Sequence, residues 1–524
     1  MDDASRLADA VEERLRPLDR ERAVAWWDLN VQVSEENGHR RVATDIAYSQ
    51  VLADAGLFAS VGRVRAASGS ALWRRRLDVL HDLMLPYQIS PSLQERIVEL
   101  EAEVEARFTR HRAVVRGSEV DDNEIKRILR RSDDPAERRE AWEASKTVGA
   151  AVADDVRELA RLRNEAARSV GHRDWYALSL ATDELDERRL AETLAAADRV
   201  TVEPFAHWKA ELDERLASRF GCSVGELRPW HYADPFFQEA PSEGGVDLDP
   251  LFDGGDAIAL ARRTFEAVGF DAASILERSD LYPRAGKCQH AFCVDIDREG
   301  DVRILANVVP THSWAETMLH ELGHGVYDLG LGEDLPWGLR TTHLVTTEAT
   351  AILFGGLAWQ REWLEHALEL EPSEARALED SLRAARVAEL LVFTRWVLVM
   401  NGLERALYAD PDSDLDGLWW ELVHRHQLVT PPGGPRSGDW AAKIHVATAP
   451  VYYHTYLYGS IVALQIRDAL RREVGGLVAR PEAGALLRER LFAPGQSVRW
   501  DELVERVSGA PLSVAALERE VAAA

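Results

Sequence analysis

The chain has 524 residues, of which 46% are apolar, enough for a sizeable core, and its formal charge of −27 excludes nucleic acid and anionic membrane as partners, since both need a basic surface. Three cysteines (Cys222, Cys288, Cys293) are odd in number and too few for a disulfide framework, and the acidic start Met1-Asp2-Asp3-Ala4 has no basic or apolar leader. The most apolar run, 390–400, is broken by Arg395 and too short to span a bilayer, so a soluble, cytoplasmic protein with reduced thiols is expected.

Helical signals run from end to end. Ser92-Leu93-Gln94-Glu95 reads as a capping box opening a helix with apolar residues at Leu93, Ile97, Leu100, Val104 and Phe108. Asp134-Pro135 places an N-cap before a proline at the first helical position, and the charged, alanine-rich run after it predicts one long helix to about residue 168. Further helices are expected near 187–218, 256–268, 373–407 and 457–473, with loop-rich stretches at 239–255 and 430–438. No repeat and no sustained βαβ alternation occurs, so the fold class is mostly α. One β signal interrupts it: extended, β-branched segments at 288–297 and 302–309, joined by Arg298-Glu299-Gly300-Asp301, form a small hairpin just before residue 313. Such a hairpin is either structural or an edge that binds a peptide backbone.

The chemistry concentrates after it. His320-Glu321-Leu322-Gly323-His324 puts two imidazoles one helical turn apart on the same face, with Glu321 on the flank. Ser313-Trp314-Ala315-Glu316 reads as the capping box that starts this helix. Glu348 lies 28 residues after His320, far enough for a second helix to return a carboxylate. Three protein ligands leave a fourth position open, which is the pattern of a catalytic zinc site with one ion per chain. Gly323 and Gly325 each disfavour a helix by about 1 kcal/mol relative to Ala, and close backbone packing around a metal explains them. The stretch 440–460 holds Lys443, His445, His454 and four tyrosines; by composition it is either aromatic core or a source of oxyanion donors. With five lysines against 57 arginines, each lysine invites attention.

These residues resemble the angiotensin-converting-enzyme (peptidyl-dipeptidase A) family in a single-domain bacterial form, itself close to the thimet oligopeptidase and oligoendopeptidase F group. Trp27-Asp28-Leu29-Asn30-Val31-Gln32-Val33 resembles the family's N-terminal signature, and Arg303-Ile304 stands at the family's distance from the zinc helix. The spacing from His320 to Glu348, Lys443-Ile444-His445 and Tyr453-His454-Thr455-Tyr456 also match its pattern. The resemblance implies one catalytic domain over 1–524, a helical ellipsoid of two halves divided by a deep channel with zinc at its floor. It implies zinc on His320, His324 and Glu348, Glu321 as base and proton shuttle, and Tyr456 and His445 as oxyanion donors. It also implies His290 and Ala291 on the substrate-binding strand, and Lys443 and Tyr453 on the peptide's C-terminal carboxylate. Three departures stand out. One extra residue separates His445 from Tyr456; the family's carboxylate-binding Gln has no counterpart near Trp230-His231-Tyr232; and Ile352 replaces an Asp that orients a zinc histidine, a task left to Glu316 or Asp328. The expected activity is release of C-terminal dipeptides from short peptides, with no obligate protein partner. The alternatives are an oligoendopeptidase and a peptide-binding protein with an inert metal site.

Overall fold

The computed structural model describes residues 3–241, 247–434 and 436–522. Met1 and Asp2, and parts of both loop-rich stretches (242–246 and Pro435), lie outside the described residues. Helix accounts for 72% of the chain, and the only sheets among the described residues are two antiparallel two-stranded ones, so the mostly-α expectation holds. Two compact units form, each from separate stretches of chain: Met1–Gln88, Val246–Arg383 and Tyr458–Ala516 in the first, Ile89–Gly245, Ala384–Leu457 and Leu517–Ala524 in the second.

Local sequence explains where the helices begin. Pro135–Ser169 is capped by Asp134, as its sequence predicts. Two caps fall elsewhere. Pro91–Arg110 is capped by Ser90, whose hydroxyl accepts from Leu93 N–H, because Pro91 presets the first helical residue and Ser92 is already inside the turn. His312–Leu329 is capped by Thr311 and not Ser313: the Thr311 hydroxyl accepts from Trp314 N–H at 3.3 Å. His312 is fixed at that start by its N–H to Asp249 (3.0 Å) and its Nε2 against Ala358 O (3.1 Å).

In the first unit, Asp3–Val31 buries Ala4, Ala8, Val11 and Leu15 at helical spacing against Leu52, Val61, Leu77, Leu80 and Met84. Trp337, in the connection after the His312–Leu329 helix, enters the same cluster. Arg76 and Glu12 form a buried ion pair beside it (Nη2 to Oε2, 2.6 Å), and Gly338 leaves room for Glu12 where a Cβ would lie 2.4 Å from Oε1. The N-terminal helices therefore brace the chain between the two helices that carry the metal-ligand triad. Trp27, from the N-terminal signature, packs with Ile296 and Leu305 of the hairpin region.

In the second unit the Pro135–Ser169 helix anchors later stretches of the chain. Buried Arg138 donates to the carbonyls of Trp230 (2.8 Å) and Tyr232 (3.0 Å), and Trp142 Nε1 donates to Pro235 O (3.0 Å). Gly149 meets the turn Asp439–Ala442 backbone to backbone: a Cβ there would lie 2.1 Å from Gly438 O and 2.7 Å from Ala442 N. This fixes the chain just before Gln238 and just before Lys443.

The hairpin is shorter than expected, Phe292–Asp295 paired with Val302–Leu305 in the register Phe292↔Leu305 and Asp295↔Val302. Upstream, Cys288 N–H bonds to Asn30 O (2.9 Å) and Asn307 Nδ2 takes Cys288 O (3.0 Å), which diverts the chain from the ladder. Downstream, Ala306 and Val308 donate to Asp280 O and Leu281 O. His290, exposed, and Ala291, half-buried, consequently stand just before the strand and not on it, a correction to the reading from sequence.

Candidate metal centre and carboxylate-binding cluster

His320 and His324 lie on the His312–Leu329 helix with ring centroids 5.0 Å apart, and Glu348 on the Leu344–Gly355 helix that packs against it. The helices approach closely because glycine lines their contact. A Cβ on Gly323 would stand 2.9 Å from Ala351 Cα, and one on Gly355 3.4 Å from His320 Cβ. A third glycine, Gly459, seats the Tyr453–Val474 helix against Glu348, whose Cβ would be 3.0 Å away. One ligand atom from each of His320, His324 and Glu348 lies within 4.8 Å of the others, with His320 Nε2 and Glu348 Oε2 4.0 Å apart. Two imidazoles and a carboxylate are the donor set of a catalytic zinc site. Desolvation lowers the His320 imidazole to about 4 and that of His324 to about 3, the latter assisted by His320, so both rings are neutral and able to ligate at neutral pH.

The partner that orients His324 is Thr347, whose Oγ1 lies 2.6 Å from Nδ1, which leaves Nε2 to face the metal position. Sequence reading missed it because a lone Thr one residue before a ligand carries no distinctive pattern. Asp328 faces Asp295 and Arg298 instead, and burial together with Asp295 raises its carboxyl well above the ordinary range. Glu321 is buried, its carboxylate accepting the N–H of Cys293 on the hairpin; burial first, and then Glu348, raise it to about 8. Asp280 bridges to Leu305 on the outer side of the Val302–Leu305 strand, so among the described residues Phe292–Asp295 is the strand whose far edge has no third strand.

The second unit gathers the remaining sequence-predicted residues. Lys443 Nζ donates to Gln238 Oε1 at 2.8 Å and sits near the rings of Phe236 (5.3 Å) and Trp396 (5.8 Å). Burial lowers its ammonium to about 8, with Asp234 opposing. Gln238 is an amide that sequence reading did not single out: Asp234 accepts the N–H groups of Phe236 (2.8 Å), Gln238 (3.0 Å) and Glu239 (3.1 Å), and this turn delivers Gln238 to Lys443. Lys146, buried and 3.3 Å above the Phe236 ring, was likewise overlooked; desolvation lowers it to about 7. His445 and Tyr453 have ring centroids 5.3 Å apart, and Tyr453 and Tyr456 5.9 Å. Each group of predicted residues is thus brought together within its own unit. Cys222, Cys288 and Cys293 are free thiols, and no described helix is long and apolar enough to cross a membrane.

Comparison with known proteins agrees with this chemistry. Residues 273–523 match Peptidase family M3, and residues 1–205 match the angiotensin-converting enzyme family. A relative, thermostable carboxypeptidase 1 of Thermus thermophilus, is 29% identical over 302 residues, which span 50% of this chain and 56% of that protein. The chain therefore matches little more than half the length of that curated relative. The M3 match contains both the hairpin and the His-His-Glu triad, and together the two matches and the relative support a metallopeptidase similar to the angiotensin-converting-enzyme and M3 types.

Proposed function

We propose that this chain is a zinc-dependent exopeptidase that releases dipeptides from the free C-terminus of short peptides. The observation that carries the C-terminal reading is the pairing of Lys443 with Gln238 beside Trp396, whose ring also meets Tyr453: a cation bonded to an amide and walled by Phe236 and Trp396 suits one carboxylate. His320, His324 and Glu348 would hold one zinc ion, which when bound supplies a Lewis acid for the scissile carbonyl. In its ionised form, which the charge of a bound zinc ion would favour, Glu321 accepts a proton from the attacking water and hands it to the leaving amine, held for this by the Cys293 N–H. Tyr456 and His445 donate to the developing oxyanion. The edge of Phe292–Asp295, with His290 and Ala291 leading into it, pairs with the peptide backbone. The whole chain acts as one catalytic domain in the cytoplasm.

The name of the Thermus relative favours a second reading, release of single C-terminal residues, which uses the same carboxylate cluster. The match to Peptidase family M3 favours a third, internal cleavage without regard to the terminus. Mass spectrometry of digests of one peptide, as free acid and as C-terminal amide, separates all three. Dipeptide release from the acid alone supports the proposal, and single-residue release moves it to a carboxypeptidase. Equal cleavage of acid and amide at internal bonds refutes the C-terminal reading. Lys443→Ala should lower kcat/KM on the acid by roughly 10- to 100-fold, the range of a charge-assisted hydrogen bond.

A further inference from the structure

The segment between His445 and Tyr453 joins the oxyanion donors to the carboxylate-binding group, and its backbone is unusual. A single turn, His445–Thr448, leads through Ala449 and Pro450 to Val451, whose φ is +60°. A β-branched residue in the left-handed region is an outlier that persists only where its surroundings over-determine it. Here they do. Val451 N–H donates to Glu404 Oε1 at 2.7 Å, and the two residues are only 3% and 2% exposed. At the other end of the segment, buried Arg163 donates to Ala447 O and to Tyr408 Oη (3.3 Å), with Glu101 as its ion partner at 3.2 Å. Burial raises the Glu404 carboxyl to about 8 against the opposing pull of Val451 N–H and Arg163. At neutral pH it is therefore mostly the acid, whose carbonyl oxygen accepts an N–H as an amide would.

We propose that Glu404 is a positioning residue: it pins Val451 in the left-handed conformation and so sets His445 relative to Tyr453 and Tyr456. The inference rests on the reading of His445 and Tyr456 as oxyanion donors.

The test uses the zinc-loaded enzyme. Glu404→Leu removes the acceptor and should lower kcat by about 10- to 100-fold, the loss expected when reacting groups shift by about an ångström. Zinc content should stay stoichiometric, and kcat should fall by more than KM rises on free-acid peptides, because Lys443 and Gln238 lie outside the pinned turn and only Tyr453 of that cluster borders it. Glu404→Gln should restore kcat to within about twofold of the parent. Val451→Pro deletes the N–H and forces φ to about −65°, and it should repeat the loss; it decides the matter if Glu404→Leu does not fold. Full kcat in Glu404→Leu or Val451→Pro, or a loss in Glu404→Gln equal to that in Glu404→Leu, overturns the proposal. Two readouts separate it from the reading beneath it. Faster hydrogen exchange at the Val451 amide in Glu404→Leu reports the pinning alone, and unchanged exchange overturns it. Undiminished kcat in Tyr456→Phe removes the oxyanion reading on which the catalytic consequence rests.

Discussion

Gly323→Ala tests whether backbone packing sets the metal centre. An added Cβ would stand 2.9 Å from Ala351 Cα, 3.2 Å from Thr350 O and 3.3 Å from Ala351 N. All three are backbone atoms of the helix that carries Glu348, so none can swing aside as a side chain would. Alanine gains about 1 kcal/mol of helix propensity over glycine. Against this, forcing a methyl into a packed contact costs about 1 to 3 kcal/mol, and ordinary carbon contacts near 3.5 to 4.0 Å require the helices to part by roughly half an ångström or more. Metal sites tolerate ligand displacements of only about 0.2 Å, so parting the helices moves the imidazoles too far from Glu348. If the metal-free protein relaxes apart, the 1 to 3 kcal/mol reappears on metal binding as a loss of about 5- to 150-fold in zinc affinity. If it cannot relax, the same energy lowers the stability of the metal-free fold. Gly62→Ala is the control: Gly62 lies in the Ala55–Ala67 helix with nothing within 4 Å of its Cβ position, and alanine there should stabilise by about 0.5 to 1 kcal/mol. Zinc titration against a competing chelator and melting of the metal-free protein read both arms. Parental zinc affinity in Gly323→Ala together with a melting temperature raised as in Gly62→Ala would refute the packing argument.

Glu321→Gln should retain stoichiometric zinc and lose turnover, because an amide cannot accept the water's proton; loss of the metal on elemental analysis would instead make Glu321 a ligand. Thr347→Val removes the group 2.6 Å from His324 Nδ1 at nearly constant volume and should weaken zinc binding by about 10- to 100-fold, whereas unchanged affinity would show that this contact orients nothing. Lys443 carries its charge only below a pKa lowered to about 8, so KM for free-acid peptides should be flat near neutrality and rise above about pH 8, with no rise for amides. A KM for the acid that stays level to about pH 9.5, well past that value, would place the carboxylate elsewhere.

Long, periodic elements were legible in the sequence, since propensity, capping and amphipathic spacing agree along them. The predicted helix from Asp134 and those near 187–218, 256–268 and 373–407 lie within a few residues of Pro135–Ser169, Glu187–Phe220, Ala257–Val268 and Pro372–Ala409. The grouping of His320, His324 and Glu348 was legible because one helical turn fixes the spacing of the two histidines. The caps at Ser92 and Ser313 were misread because Pro91, which the capping-box pattern ignores, favours Ser90, and because tertiary bonds to His312, absent from any local pattern, favour Thr311. The hairpin was overextended because Cys288 and Ala306, β-prone or neutral by type, take partners outside the ladder. Gln238, Thr347 and Glu404 could not be found from sequence, since each acquires its meaning from a residue far along the chain or on another helix.

The unit that holds the metal-ligand triad has a consequence for biosynthesis. A ribosome has made His320, His324 and Glu348 once it passes residue 348, yet the glycine that backs Glu348 belongs to the stretch Tyr458–Ala516. A nascent chain stopped before that stretch carries every ligand without the helix that seats the carboxylate. Domains tend to fold as units during synthesis, so the seat for Glu348 would be complete only once the stretch Tyr458–Ala516 has left the ribosome. A fragment cut to the ligand helices alone would be a poor chelator.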